Sequence, residues 1–288
     1  MKRFVSVLFA ILITVGLCGC QQSDDSVLKQ SEPVQSETME LTQASEEPTE
    51  SSTQASEAPT EPSTHSMESV PPATTEPGHS SLYLPDVTTE EMIKYFREVV
   101  LDMEYTAGDG DATLVQKWMT PIYYMISGEP TDADRELLNS LFGQLNEIEG
   151  FPGIFPTEDE NQKNLSISFL DANTFRLAFS DFLRGEEADG AVQFWYYTAS
   201  NDIYTGRIGY RTDISQEIRN SVILEEVINL LGFNDTVLRE DSIVYQYSSD
   251  ATQLSETDWV LLKLLYHPDI RCGMNYEECQ AVLEQLYY

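Results

Sequence analysis

Histidine is the first scarcity in this 288-residue chain: three occur, and only His267 lies beyond residue 80. A zinc centre built on imidazoles is therefore excluded from most of the chain, because such sites take three or four nitrogen or sulfur ligands. Cysteine is nearly as rare. Cys18 and Cys20 stand at the front and Cys272 and Cys279 near the end. Bases are few as well, 16 against 49 acids, for a net charge of −33. Phosphate contacts need Lys and Arg, so nucleic acid and anionic lipid headgroups are excluded as partners. No aromatic residue occurs between Gln21 and Ser80, and that stretch cannot build a core. Long apolar runs are missing too. Phe4–Leu17 is shorter than the ~20 residues that a spanning helix needs.

What is present begins with Lys2 and Arg3, followed by that apolar run, which together read as a secretory signal. Its end, Leu17-Cys18-Gly19-Cys20, resembles the bacterial lipobox. The resemblance implies that Cys20 is acylated and becomes the new N-terminus, giving an extracytoplasmic protein anchored to the membrane by lipid. Each buried CH₂ of such a chain contributes about 0.8 kcal/mol of membrane affinity. Residues 21–80 form a Ser/Thr/Glu/Pro linker that carries a short repeat, "TQASEEPTE" from Thr42 and "TQASEAPTE" from Thr53. Its composition predicts disorder, with a span of roughly 40–50 Å.

Residues 81–288 are long enough for one domain with a real core. Of the acids and bases, 12 and three respectively precede Ser81, which leaves 37 acids against 13 bases in the domain. Such a surface suits secretion and permits a divalent cation. "TTEEMIKYFREVVLDMEY" reads as a helix, with Thr88 as N-cap and Glu91 three residues on. A strand follows at Ile122–Ile126, then a helix from Asp132 that stops at Gly150. "NLSISFLD" alternates as a strand, and "TFRLAFSDF" is either its hairpin partner or an insertion. "GAVQFWYY" and "DIYTGRIGYRT" are further strands joined by a tight turn at Asn201-Asp202. The helix within Ser221–Asp235 follows, then two more, capped at Ser255 and Asn275. The order predicts an α+β domain with a mainly segregated sheet. Cys272 and Cys279 either form a disulfide outside the cytoplasm or remain thiols.

The segment "SVILEEVINLLGFND", Ser221–Asp235, carries the functional question. At 100° per residue, Leu224, Val227, Ile228 and Leu231 form a broad apolar arc. Glu225, Glu226 and Asn229 fall on the other side, with Val222 and Ile218 among them. This face therefore borders another segment, and its acids require water, a cation or hydrogen-bond donors.

The spacing resembles the metzincin peptidase pattern H-E-x-x-H-x-x-G-x-x-H/D. The resemblance puts Glu226 at the general base, Glu225, Asn229 and Asp235 at the metal-ligand positions, and Gly232 at the turn. "DSIVYQY" resembles the methionine turn, with Val244 at the methionine. "GRIGYRT" takes the place of the edge strand that lines the cleft. The fold implied is a zincin-like domain, a mixed sheet whose edge strand packs on helices. Both histidines are replaced, so tight zinc is not expected. Glu, Asn and Asp suit a hard divalent cation better.

"VQKWMTPIYYMISG", "ILEEVINLLGFNDT", "DSIVY" and "LSETDWVLLKLLYHPDIRCGM" also resemble the bacterial domain-of-unknown-function family 2927, described mainly as lipoproteins. Two functions stand open. One is a non-catalytic envelope module that binds a peptide, protein or cell-wall ligand. The other is a metal-dependent, peptidase-like hydrolase with a Glu/Asn/Asp site.

Overall fold

A computed structural model describes residues 82–101, 113–183, 187–247 and 251–287. Cys20, the signal segment and the 21–80 linker lie outside the described residues. The elements run α1 (Thr89–Leu101), β1 (Lys117–Trp118), β2 (Ile122–Gly128), α2 (Asp132–Leu145), β3 (Ile154–Pro156), β4 (Leu165–Leu170), α3 (Ala172–Ala178), α4 (Ser180–Leu183), β5 (Gly190–Tyr196), β6 (Asp202–Arg211), α5 (Gln216–Leu230), α6 (Glu256–Tyr266) and α7 (Tyr276–Leu286). No helix among the described residues is long and apolar enough to cross a membrane.

One six-stranded sheet holds the domain together. β3, β2, β4 and β6 lie side by side and pair in parallel, and β1 joins the start of β6 in parallel. β5 alone is antiparallel, paired to β6. The segregated sheet expected from the element order is thus corrected. Parallel pairing requires crossovers, and α2 and the α3–α4 pair follow β2 and β4. "TFRLAFSDF" is not a hairpin strand: Asp171 caps it, accepting from the backbone N–H groups of Asn173 and Thr174, and it turns helical. The strand at Gly206–Arg211 is not at the edge either. β6 is held on both sides, by β4 and β5, and β5 is the edge strand.

Period-two alternation sets the two faces of the sheet. Leu165, Ile167 and Phe169 of β4 point inward with Ile208 and Tyr210 of β6. α5 covers this inner face and is buried almost all round. Such a helix reads as core rather than as an amphipathic surface helix. Two strand glycines let it approach. A Cβ at Gly206 would stand 2.6 Å from Leu230 Cδ1, and one at Gly190 would stand 2.3 Å from Val222 Cγ1. α1 packs against α6 and α7, and all three feed the same core. The outer face carries a small second core, Phe175, Phe179, Phe182, Leu183 and Ala191.

Candidate functional site: a buried carboxyl cluster on the central helix

Ser215 caps α5 by accepting from the N–H of Ile218. The buried ion pair of Arg219 with Asp134 (Nε to Oδ1, 2.9 Å) then ties α5 to the start of α2. Asp134 is itself the capping-box acid of α2, so one carboxylate serves two helices. These constraints fix the helix rotation, and rotation decides where Glu225, Glu226 and Asn229 point.

Glu226 is only 4 % exposed and Asn229 is fully buried. Glu225 is partly buried. Glu226 reaches the β5 backbone, with Oε1 and Cγ against Gly190. Its Oε2 meets no hydrogen-bond donor among the described residues. Burial first, and then the carboxyls of Glu225 and Asp235, hold the Glu226 carboxyl well above the ordinary carboxylate range. Burial and Asp235 push Glu225 up to about 8. Burial, with Glu226 and then Asp134 nearby, also raises the Tyr210 hydroxyl. These are the responses of acids moved out of water and set beside like charge. Both shifts favour the protonated forms of Glu225 and Glu226.

Asp235 arrives by a sharp turn. Gly232 takes φ +113°, which an L side chain rarely adopts, and a Cβ there would stand 2.3 Å from the Gln116 carbonyl oxygen. α1 then secures the chain on both sides of Asp235. The Asn234 N–H donates to the Val99 carbonyl at 2.6 Å. The buried Glu98 accepts from Thr236 Oγ1 and, at 2.7 Å, from the N–H of Val237. The turn at 239–245 folds back on the same place: Thr236 N–H donates to the Val244 carbonyl (2.9 Å) and Val244 is fully buried. Asp258, a capping-box acid of α6, holds that turn through Arg239 Nη2, Ser242 Oγ and the N–H of Ile243.

The structure therefore sets Glu225, Glu226 and Asp235 within electrostatic reach of one another, with Asn229 one helical turn along. Glu226 and Asn229 are buried there rather than open to solvent. Two surface cavities of about 570 and 600 Å³ are lined by other residues. Among the described residues, no group of three or more His, Cys, Asp or Glu side chains is arranged to hold a metal ion. The donor set lacks the imidazole and thiolate ligands that zinc favours. Gly190 and Tyr210 were not singled out by sequence. The only signal was the glycine that opens the apolar alternation of "GAVQFWY".

Cys272 and Cys279 are free thiols, with no disulfide between them. Burial pushes them up to about 11 and about 12. The buried Lys117 lies near both. Its ammonium donates to the carbonyls of Leu265 (2.8 Å) and Ile270 (2.5 Å) at the end of α6, and burial lowers it to about 8. This cation satisfies helix-end carbonyls. His267 ends α6 as its C-cap.

Residues 89–285 match the family described as Protein of unknown function (DUF2927). The chain belongs to this family. No match was found among curated proteins. The DUF2927 match begins at the first residue of α1 and ends one residue before the end of α7. It therefore takes in the sheet, the carboxyl cluster and the turn that closes on Asp235.

Proposed function

We propose that this DUF2927 protein is a cell-envelope lipoprotein whose domain is a remodelled zincin-like scaffold working as a non-catalytic binding module. The observation that carries the reading is the state of Glu226. A general base must be ionised and must reach a metal-bound water. Glu226 instead sits against the β5 backbone, where burial and the carboxyls of Glu225 and Asp235 disfavour its ionised form. The zincin-like part of the reading is supported by the antiparallel edge strand beside the helix, the left-handed Gly232, the return of Asp235 and the turn around Val244. Localisation and anchoring rest on the lipobox resemblance at Cys20. The ligand class proposed is a peptide, protein or cell-wall fragment.

A hydrolase using Glu225, Glu226 and Asp235 around a hard cation is the competing reading. It requires three neighbouring acids, of which Glu226 is buried, to ionise together, at a cost that their mutual repulsion adds to.

Metal analysis and a peptide-hydrolysis assay on the purified full chain separate the two. The expected result is no stoichiometric zinc after dialysis and no hydrolysis with or without added divalent cations. Zinc retained through dialysis and lost in Glu225→Ala overturns the proposal. So does cation-dependent hydrolysis that disappears in Glu226→Gln.

A further inference from the structure

The outer face of the sheet holds an arginine whose situation differs from that of its neighbours. Arg211 pairs with Asp189 and Asp213, Arg219 with Asp134, and Arg239 with Asp258. Arg207, half-buried in the middle of β6, forms no ion pair among the described residues. In a domain of 37 acids and 13 bases, a half-buried guanidinium with no carboxylate in ion-pair contact among the described residues stands out in the charge pattern. Burial pushes its pKa down, and the Asp181 carboxylate opposes this only through space.

The side chain is nevertheless held in place. Its Nε donates to Gln193 Oε1 at 2.6 Å, on the paired position of β5. Its Cζ lies over the Phe179 ring, 4.7 Å from the centroid. Gly209, two residues on, is what lets Phe179 come down on the sheet, since a Cβ there would stand 2.2 Å from the ring. Gln193 uses the inner nitrogen. The two terminal nitrogens, the pair that grips a carboxylate in a fork, have no hydrogen bond among the described residues.

Hydroxyls line the adjoining strands. Ser166 of β4 is the direct cross-strand partner of Arg207, and Ser168 is the partner of Gly209. Ser168 Oγ lies 3.0 Å from Ser127 Oγ on β2. Beyond the serines, Tyr123 and the 43 %-exposed Phe155 sit together, ring centroids 6.2 Å apart. A fixed cation, small hydroxyl side chains and a nearby aromatic pair thus share one face.

We propose that Arg207, with Ser166 and Ser168, forms a recognition site for a single carboxylate, borne by the end of a peptide chain or by a small organic acid. One guanidinium balances one negative charge. A phosphate dianion would meet the domain's acidic field with half the compensation. The site lies on the face opposite α5, so it stands or falls independently of the reading of Glu226.

The test is a titration of the isotope-labelled full chain in detergent, reading the Arg207 side-chain Nε–H resonance by NMR. The probes are N-acetyl-alanyl-alanine, its C-terminal amide, acetate and inorganic phosphate. Saturable shifts with the free acid and none with the amide are expected. Arg207→Lys keeps the charge but loses the fork, and should weaken binding about tenfold or more. Dipeptide binding without acetate binding identifies a chain end; binding of both identifies the carboxylate alone as the determinant. The proposal is overturned by no saturable response to either carboxylate, by equal response to acid and amide, or by tighter binding of phosphate. Should Arg207→Lys fail to fold, the comparison of acid with amide on the unaltered chain still decides.

Discussion

Glu226 and Gly190 are in contact across the interface between α5 and the edge strand: a Cβ on residue 190 would stand 2.9 Å from Glu226 Oε1 and 2.3 Å from Val222 Cγ1. The glycine does not serve a positive φ here. It makes room. The edge strand and the acid-bearing helix are thereby seated directly on one another, which keeps water from the Glu226 carboxyl and raises its pKa.

Gly190→Ala should therefore destabilise the domain by steric crowding alone, by about 2 kcal/mol, as overpacked cores do. For a domain of this size that corresponds to a fall in Tm of roughly 4–8 °C. Thermal unfolding followed by circular dichroism measures it. An unchanged Tm would mean that α5 and β5 are not in contact as described.

Stability should depend on pH through the same cluster. Glu225 and Glu226 have folded pKa values raised above the unfolded value near 4.5, to about 8 for Glu225 and well above the usual range for Glu226. Between those values the folded state binds more protons than the unfolded state, so stability falls as pH rises. The favourable contribution is complete below about pH 4.5 and is lost from Glu225 as pH passes 8. Tm should be higher at pH 5 than at pH 8. Glu226→Gln, which carries its hydrogen at every pH, should flatten the difference. A slope identical in the variant would remove Glu226 as its source.

The Asp134–Arg219 pair should be costly to break from one side. Both side chains are buried and joined at 2.9 Å. Asp134→Ala strands a guanidinium and removes the capping box of α2, so a loss of about 3–5 kcal/mol is expected in urea unfolding. The double variant Asp134→Leu, Arg219→Met should recover much of that loss, because it leaves no buried charge behind. Equal losses in the single and double variants would contradict a charge-based origin.

Glu98→Ala should loosen the segment that presents Asp235, because Glu98 accepts from both Thr236 Oγ1 and the N–H of Val237. A buried donor left without its acceptor costs about 1–3 kcal/mol. Amide exchange at Val237 should speed up by roughly tenfold or more. Unchanged protection there would show that the Gly232 turn holds the segment without α1.

Local signals carried far in this chain. Thr131, Ser255 and Asn275 sit as N-caps with acids three residues on, and all three form capping boxes. The alternation of "LSISFL" appears as alternating burial along β4. Such features were legible because their physics is contained within a few residues: a side chain meets a backbone N–H three positions away, or points to one face of a pleat. "TFRLAFSDF" was ambiguous because its phenylalanines fit either a strand or a short helix, and what Phe175 and Phe179 pack against is Gly209 of a distant strand.

Sequence alone determined the absence of a histidine-based zinc site, the acidic surface, the capped helices and the grouping of Glu225, Glu226 and Asn229 on one side of a helix. Those are properties of composition and of 100° per residue. The fold decided what the grouping does. Strand order, with β5 rather than β6 at the edge, is a matter of non-local pairing that periodicity cannot express. Through that pairing Gly190 comes beneath Glu226, Val99 and Glu98 secure the chain around Asp235, and Arg207 stands opposite Ser166 with no ion pair among the described residues. Charge state follows from these distant neighbours, because a carboxyl in water and one packed against a strand differ only in what surrounds them.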